Sequence, residues 1–323
     1  MKIKIEYLIL IVVIVAVSLY LILQNPDRTH YQLPTFPQIS EKEISRLEIS
    51  FSDKTIVLVK ESNTWKISPP GYPADMDKVK TILNNIENLT LTALVSESKN
   101  YERYELNDAK KIVVKAFSGD TLIREFEVGK TASSYRHTFV KIKGDDRIYH
   151  ARKNFRREFD QTIENLRDKI VLSFEKTEIQ KIHIAKGKQS ILLEQKEVPE
   201  EASSVKEPDK KDSPAPKTEM IWQTSKGRKC DQSKLDRLLT TLSKLSCEKY
   251  IDDGKKEDYT DPIYTLKLKG ARDFTLSIFK KIDKDDKTIP AISSDNDYPF
   301  LLSSTTGDQI MINPDELLEK SEK

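Results

Sequence analysis

Glycine is scarce: there are nine in 323 residues, and the closest two, Gly119 and Gly129, lie ten positions apart. Phosphate-cradling loops and the Gly-x-Ser-x-Gly nucleophile elbow both need glycines within a few residues of one another, so the chain contains neither. Histidine is equally sparse. His30, His137, His150 and His183 are never closer than 13 residues, which rules out a His-Glu-x-x-His helix and leaves any metal site to long-range assembly. An excess of one charge is also missing. Lys plus Arg number 54 against 52 Asp plus Glu, a net charge of +2, which gives none of the basic surplus that drives binding to a phosphate backbone.

What the chain does have is charge of both signs, 33% of all residues against a typical value of about 25%. Its surface should be densely solvated and its apolar content spread over modest cores. With a membrane segment set aside, the remaining length suits about two domains. That segment runs from Tyr7 to Leu23, 17 residues without a charge, and a helix rising about 1.5 Å per residue over that run just crosses a hydrocarbon core. Ala16-Val-Ser18 has the small-x-small form of a signal-peptidase site, but the apolar run continues through Leu23, so an uncleaved anchor fits better. Lys2 and Lys4 precede the run, which places the N-terminus inside and the soluble part outside the cytoplasm, at an inner or cytoplasmic membrane. Residues 24–40, with Pro26, Pro34 and Pro37, read as an extended tether.

Self-similarity organises the rest. Leu47-Glu-Ile49 and Ile56-Val-Leu58 recur 135 residues later as Ile182-His-Ile184 and Ile191-Leu-Leu193, each set reading as a β-hairpin. A tryptophan follows in both, Trp65 and Trp222, and then an aspartate placed to cap a helix, Asp75 and Asp231. Val79, Ile82, Leu83, Ile86 and Leu89 match Leu235, Leu238, Leu239, Leu242 and Leu245 at an offset of 156, one apolar stripe at helical spacing. Looser pairs follow: Tyr104 with Tyr259, Ile112 with Ile263, Gly119 with Gly270, Val140 with Leu302. Both copies close on a helix candidate, over 153–169 and after Asn313-Pro314. The fold class expected is α+β: a transmembrane helix, then two tandem units of β-hairpin, amphipathic helix and β-meander, over residues 41–176 and 177–323. The second unit carries an insertion near 195–219, KEVPEEASSVKEPDKKDSPAPKTE at its heart, whose composition predicts disorder.

Together the N-terminal anchor, Trp65 with Tyr72-Pro-Ala-Asp75, Tyr104-Glu-Leu-Asn107 and Leu166-Arg-Asp-Lys169 resemble the bacterial membrane-anchored family with domain of unknown function 4340, best over residues 40–180. The second copy diverges, with Cys230 in place of Ala74, and Glu105 stands where the family pattern has Gly. Members of that family are often encoded beside ABC transporter components and proteins similar to gliding-motility auxiliary subunits, so the resemblance implies that company.

The remaining candidates read more readily as structure than as chemistry. Trp65 and Trp222 are expected in the cores, and Arg167 with Asp168 as an ion pair or cap, or a contact to the neighbouring domain. Cys230 and Cys247 bracket the second helix; if all the intervening positions were helical they would lie about 25 Å apart, too far for a disulfide. Cys230 reads as a partly buried thiol rather than a reactive one. Tyr101, Tyr104, Tyr135 and Tyr259 are the candidates for exposed aromatics. No catalytic, cofactor or metal residues are assigned. The function expected is non-enzymatic, a membrane-anchored extracytoplasmic accessory or scaffold protein with membrane-complex subunits as partners and no nucleic acid. The alternative is a glycan- or solute-binding module.

Overall fold

The computed structural model describes residues 5–23, 31–69, 71–199, 218–281, 283 and 286–319. Helix α1 spans Ile5–Leu23, and its described apolar side chains, from Tyr7 to Tyr20, are all at least half exposed. Side chains in α1 are described for Tyr7 and residues 9–20. Among the described residues, no helix is long and apolar enough to cross a membrane. The chain then forms two compact units, Met1–Arg167 and Asp168–Lys323, dividing earlier than the boundary expected at 176.

In the first unit β1 (Arg46–Ser50), β2 (Thr55–Glu61), β3 (Thr64–Ser68) and β4 (Tyr72–Pro73) precede helix α2 (Met76–Glu87), followed by β5 (Leu91–Ser96), β6 (Ile112–Ser118), β7 (Thr121–Thr131), β8 (His137–Ile142) and β9 (Ile148–Arg152). These make one nine-stranded antiparallel sheet in the order β4-β3-β2-β1-β6-β7-β8-β9-β5. Alternation explains why one face is buried. Leu47 and Ile49 of β1 and Val114 and Ala116 of β6 pack with Val79, Ile82, Leu83 and Ile86 of α2 in a single core. Asp75 starts α2 by accepting the N–H groups of Asp77 and Lys78, which satisfies donors the first turn leaves open.

The short helices α3 (Arg156–Phe159) and α4 (Ile163–Leu166) end the first unit, and β10 (Ile170–Ser173) opens the second. There β11 (Lys181–Lys186), β12 (Gln189–Pro199) and β13 (Thr218–Thr224) lead into α5 (Gln232–Leu242), then β14 (Lys244–Ser246), β15 (Lys249–Tyr250), β16 (Tyr264–Lys269), β17 (Asp273–Ile278), β18 (Thr288–Ser293), β19 (Phe300–Ser303) and α6 (Ser304–Ile310). The eight-strand order, β13-β12-β11-β16-β17-β18-β19-β15, repeats that of the first unit without its edge strand β4, and β10 pairs separately with β14. The helix stripe is buried residue for residue, from Val79 at 0% and Leu83 at 6% to Leu235 at 0% and Leu239 at 5% exposed. Backbone contacts repeat as well. The Asp75 N–H donates to Leu166 O and the Asp231 N–H to Leu317 O, both at 2.8 Å, while Ala74 N–H reaches Trp65 O and Cys230 N–H reaches Trp222 O, both at 2.9 Å.

Four features differ from the sequence reading. Ladder registers pair Ile49 with Val114 and Ile184 with Leu266, so Ile112 corresponds to Tyr264 and not to Ile263; a slip of one residue in a strand changes its face. Likewise Val140 corresponds to Ala291, since Val140 pairs with Tyr149 and Ala291 with Phe300, and Leu302 corresponds to Ala151. The helix expected over 153–169 is two single turns, because the Thr162 side chain accepts the Asn165 N–H and begins a new helix. Of the stretch read as a tether, Leu33, Phe36 and Ile39 pack against the first core; residues 24–30 lie outside the described residues. So do residues 200–217 of the insertion, whose flanks continue the β12–β13 hairpin to the pair Pro199 and Thr218.

Candidate functional site

The face of the first sheet away from α2 carries the most distinctive group of side chains. On β8 and β9, Val140, Tyr149 and Ala151 point into the main core, so their neighbours Phe139 and His150, paired across the ladder, point to the other side. The His137 and His150 rings stack with centroids 5.1 Å apart and planes 22° apart. Phe139 lies 4.8 Å from His150 and 4.8 Å edge-on from Tyr104. Beneath this row Leu106, Ala132, Phe139 and Ile148 form a small core of their own, with Val95, Tyr101 and Tyr104 packed on it.

Two backbone features bring the 101–107 segment onto the sheet. Gly129 of β7 leaves room for it, since a Cβ there would sit 2.4 Å from Tyr104 O and 2.9 Å from Leu106 Cγ. Glu105 turns the chain in the left-handed region, φ 56° and ψ 38°, a conformation that favours glycine. Its carboxylate lies 3.7 Å from both Lys110 and Arg156.

Above the aromatic row is a cleft of about 560 Å³ walled by Tyr104, Phe139 and His150, floored by Val95 and Ala132, and rimmed by Arg103, Lys130, Thr131, Ser133 and Ser134. Burial lowers the pKa of His150, helped by the neighbouring His137, so its imidazole is neutral at pH 7. The Ser134 hydroxyl is 3.4 Å from His137 Nδ1. Nearby, the Arg147 guanidinium, with help from the Tyr149 hydroxyl, holds the Asp145 carboxyl at about 2, and Tyr149 Oη donates to Asp145 at 2.7 Å. That network fixes the β8–β9 turn.

Three other pairs singled out by the sequence sit in structural settings. Trp65 and Trp222 are buried at 3% and 4% exposure. Arg167 is buried with its guanidinium 3.6 Å from the Tyr72 ring centroid, and Asp168 accepts the Ile170 N–H at 2.9 Å. Cys230 and Cys247 are both buried and not joined in a disulfide; burial pushes the Cys230 thiol up to about 12, and its Sγ donates to Leu317 O at 3.0 Å. Helix α5 ends at Leu242, so the interval between the two cysteines is helical only in part.

Of the four tyrosines proposed as exposed, Tyr135 is 78% exposed, whereas Tyr101, Tyr104 and Tyr259 are half-buried. Tyr259 packs 5.1 Å from Phe279. His183 lies on β11 of the second unit, opposite Leu192 and Lys267; His30 lies outside the described residues. The association of His137 with His150 was missed because the sequence separates them by 13 positions. A hairpin alignment of 137–142 against 148–152 would have revealed them as diagonal neighbours on one face. Among the described residues, no three His, Cys, Asp or Glu side chains gather as a metal site.

The chain matches the family described as "Domain of unknown function (DUF4340)" over residues 65–261, more than half of its length. It belongs to that family. The match runs from β3 of the first unit into the second. No curated protein and no solved structure matches the chain.

Proposed function

We propose that this DUF4340 protein is a non-enzymatic accessory or scaffold subunit, held in the cytoplasmic membrane by α1 with both folded units outside the cytoplasm, in the company of an ABC-type transporter assembly. The observation that carries the reading is α1 itself. Its described apolar side chains, Ile9 to Leu19 on every side of the helix, are each 50% or more exposed. A helix apolar all round has no watery face, and needs a nonpolar surrounding such as lipid or a partner. From Tyr7 to Leu23 the sequence runs 17 residues without a charge, at the short end of the range of about 17–25 that a spanning helix needs. Orientation rests on Lys2 and Lys4, and the transporter company on the family resemblance alone.

A reporter fused at the C-terminus tests the topology. Activity of a reporter that works only outside the cytoplasm supports the reading; activity only of a cytosolic reporter overturns it. A second reading, a solute- or glycan-binding module, is favoured by the aromatic-walled cleft of the first unit. The two are compatible when the bound molecule is what the accessory subunit presents to its complex.

A further inference from the structure

We infer that the cleft above β8 and β9 is a binding site for a small acidic saccharide, a sugar ring bearing a carboxylate or phosphate. The inference goes beyond the proposed scaffold role and does not depend on the anchor. Three observations converge on it.

The first is charge. Arg103 and Lys130 both line this cleft, and among the described residues neither side chain makes a hydrogen bond or ion pair. No Asp or Glu lines the cleft. The clefts elsewhere differ: the one at the start of α2 is lined by Asp75, Asp77, Glu158 and Asp160 beside its cations, and the one on α5 has Asp236 beside Arg237. In a chain with 54 cations and 52 acids, a cationic cleft without a carboxylate leaves its counter-charge to a ligand.

The second is shape. A volume of about 560 Å³ is of ligand-pocket size, and one wall is aromatic. Tyr104 and His150 are half-buried and Phe139 is 9% exposed, so each ring keeps part of its surface in the cleft. Aromatic surface beside polar groups offers a place for the C–H face of a sugar ring. The Ser133 and Ser134 hydroxyls on the rim supply donors and acceptors for sugar hydroxyls.

The third is asymmetry between copies. By ladder register the second unit has Thr288, Pro290 and Leu301 where the first has His137, Phe139 and His150. The core positions around them remain apolar in both, Val140 matching Ala291 and Tyr149 matching Phe300. The second unit has an aromatic pair of its own, Tyr259 and Phe279, 5.1 Å apart, but the row of His137, Phe139 and His150 has no aromatic counterparts at its ladder positions.

The test uses the full chain in a neutral detergent. Glucuronate and glucose 6-phosphate are titrated, with glucose as the uncharged control, while the imidazole NMR resonances are followed; the chain has four histidines, and His150→Phe and His137→Phe assign two of them. The expected result is saturable shifts at His150 and His137 and none at His183, with at least one acidic sugar binding about tenfold or more tighter than glucose. Arg103→Ala and Lys130→Ala should each weaken that binding about tenfold, whereas Lys115→Ala should not. Whether the natural source is a free sugar or a lipid-linked one is read by adding a glycolipid bearing the same acidic sugar to the micelle: competition with the free sugar points to the headgroup. No saturable shift with either acidic sugar, equal binding of glucose, or unaltered binding by the folded Arg103→Ala, Lys130→Ala double variant would overturn the inference. None of these outcomes bears on whether the protein is anchored.

Discussion

Glu105 turns left-handed, at φ 56°, at a place where the family pattern has glycine. The left-handed conformation costs a residue with a Cβ about 1–2 kcal/mol, while glycine gives back about 0.5–1 kcal/mol through its freer unfolded state. Replacing Glu105 with Gly should therefore leave stability equal or slightly higher, by up to about 1 kcal/mol, and Glu105→Val should lower it by more, because a branched Cβ fits this region worst. Chemical denaturation of the two variants checks the order; a Val variant as stable as the Gly variant would mean the turn is not as described. Asp145 gives a pH-dependent case. Its carboxyl is held at about 2 by Arg147 and Tyr149, below the unfolded value near 3.8, so its contribution is complete above that value and is lost as pH falls through about 2. Arg147 is 38% exposed, which screens the pair, so Asp145→Asn should cost about 1–2 kcal/mol at pH 7 and only a small fraction of that at pH 2, where the carboxyl is partly protonated. A loss that is equal at both pH values would point to packing instead. Neither residue revealed its role in sequence: Glu105 was visible as a departure from the family pattern, but its dihedral was not, and Asp145 was one carboxylate among 52 acids.

The caps and buried faces of α2 and α5 were legible because their signal is local, although Leu89 and Leu245, read as part of the helical stripe, lie past the helix ends at Glu87 and Leu242. A period near 3.6 and an aspartate cap are both written within a dozen positions, and Asp75 and Asp231 do cap. Strand pairs beyond the first hairpin were not, since register depends on loop lengths and bulges that sequence spacing does not reveal; one such irregularity lies between Ala116 and Phe117. The helix expected over 153–169 failed for a local reason, the second cap at Thr162. With Leu83 and Leu239 at 6% and 5% exposure, truncating either to Ala should cost about 2–5 kcal/mol. Because they lie in separate cores, each loss should appear in the unfolding of its own unit. Equal tolerance of Asp at both positions would contradict the alignment of the repeats. Besides the packing of Leu33, Phe36 and Ile39, a buried side chain holds the segment before β1: Arg124, 6% exposed, donates to Ile86 O, Glu87 O and Pro37 O and lies 5.2 Å from the Phe36 ring. It satisfies carbonyls at the end of α2 and ties residues 36–37 to that end. Arg124→Met should release this segment, and faster proteolytic cleavage between residues 31 and 40 than in the parent protein is the expected result.

At the scale of the molecule, duplication was the legible feature, because hairpin, tryptophan, cap and helix recur in order. The cleft was not, because it is assembled from β5, β7, β8, β9 and the 101–107 segment, which lie far apart in sequence. The insertion should be dispensable for folding. The first unit closes the equivalent β2–β3 hairpin through Ser62 and Asn63 alone, so replacing residues 200–217 with Asn-Gly should shift the melting temperature by less than about 4 °C, roughly a kilocalorie per mole. A larger fall would assign those residues a part in the fold. The scaffold reading itself is tested most directly by quantitative affinity purification from mild detergent, comparing the full chain with a version beginning at residue 31, both tagged at the C-terminus. The account predicts that the full chain stays with the membrane through a high-salt wash and recovers transporter subunits, while the shortened chain loses most of that association because it no longer shares the bilayer plane with them. Recovery of the same partners by both versions, or of no membrane subunit by the full chain, would contradict it.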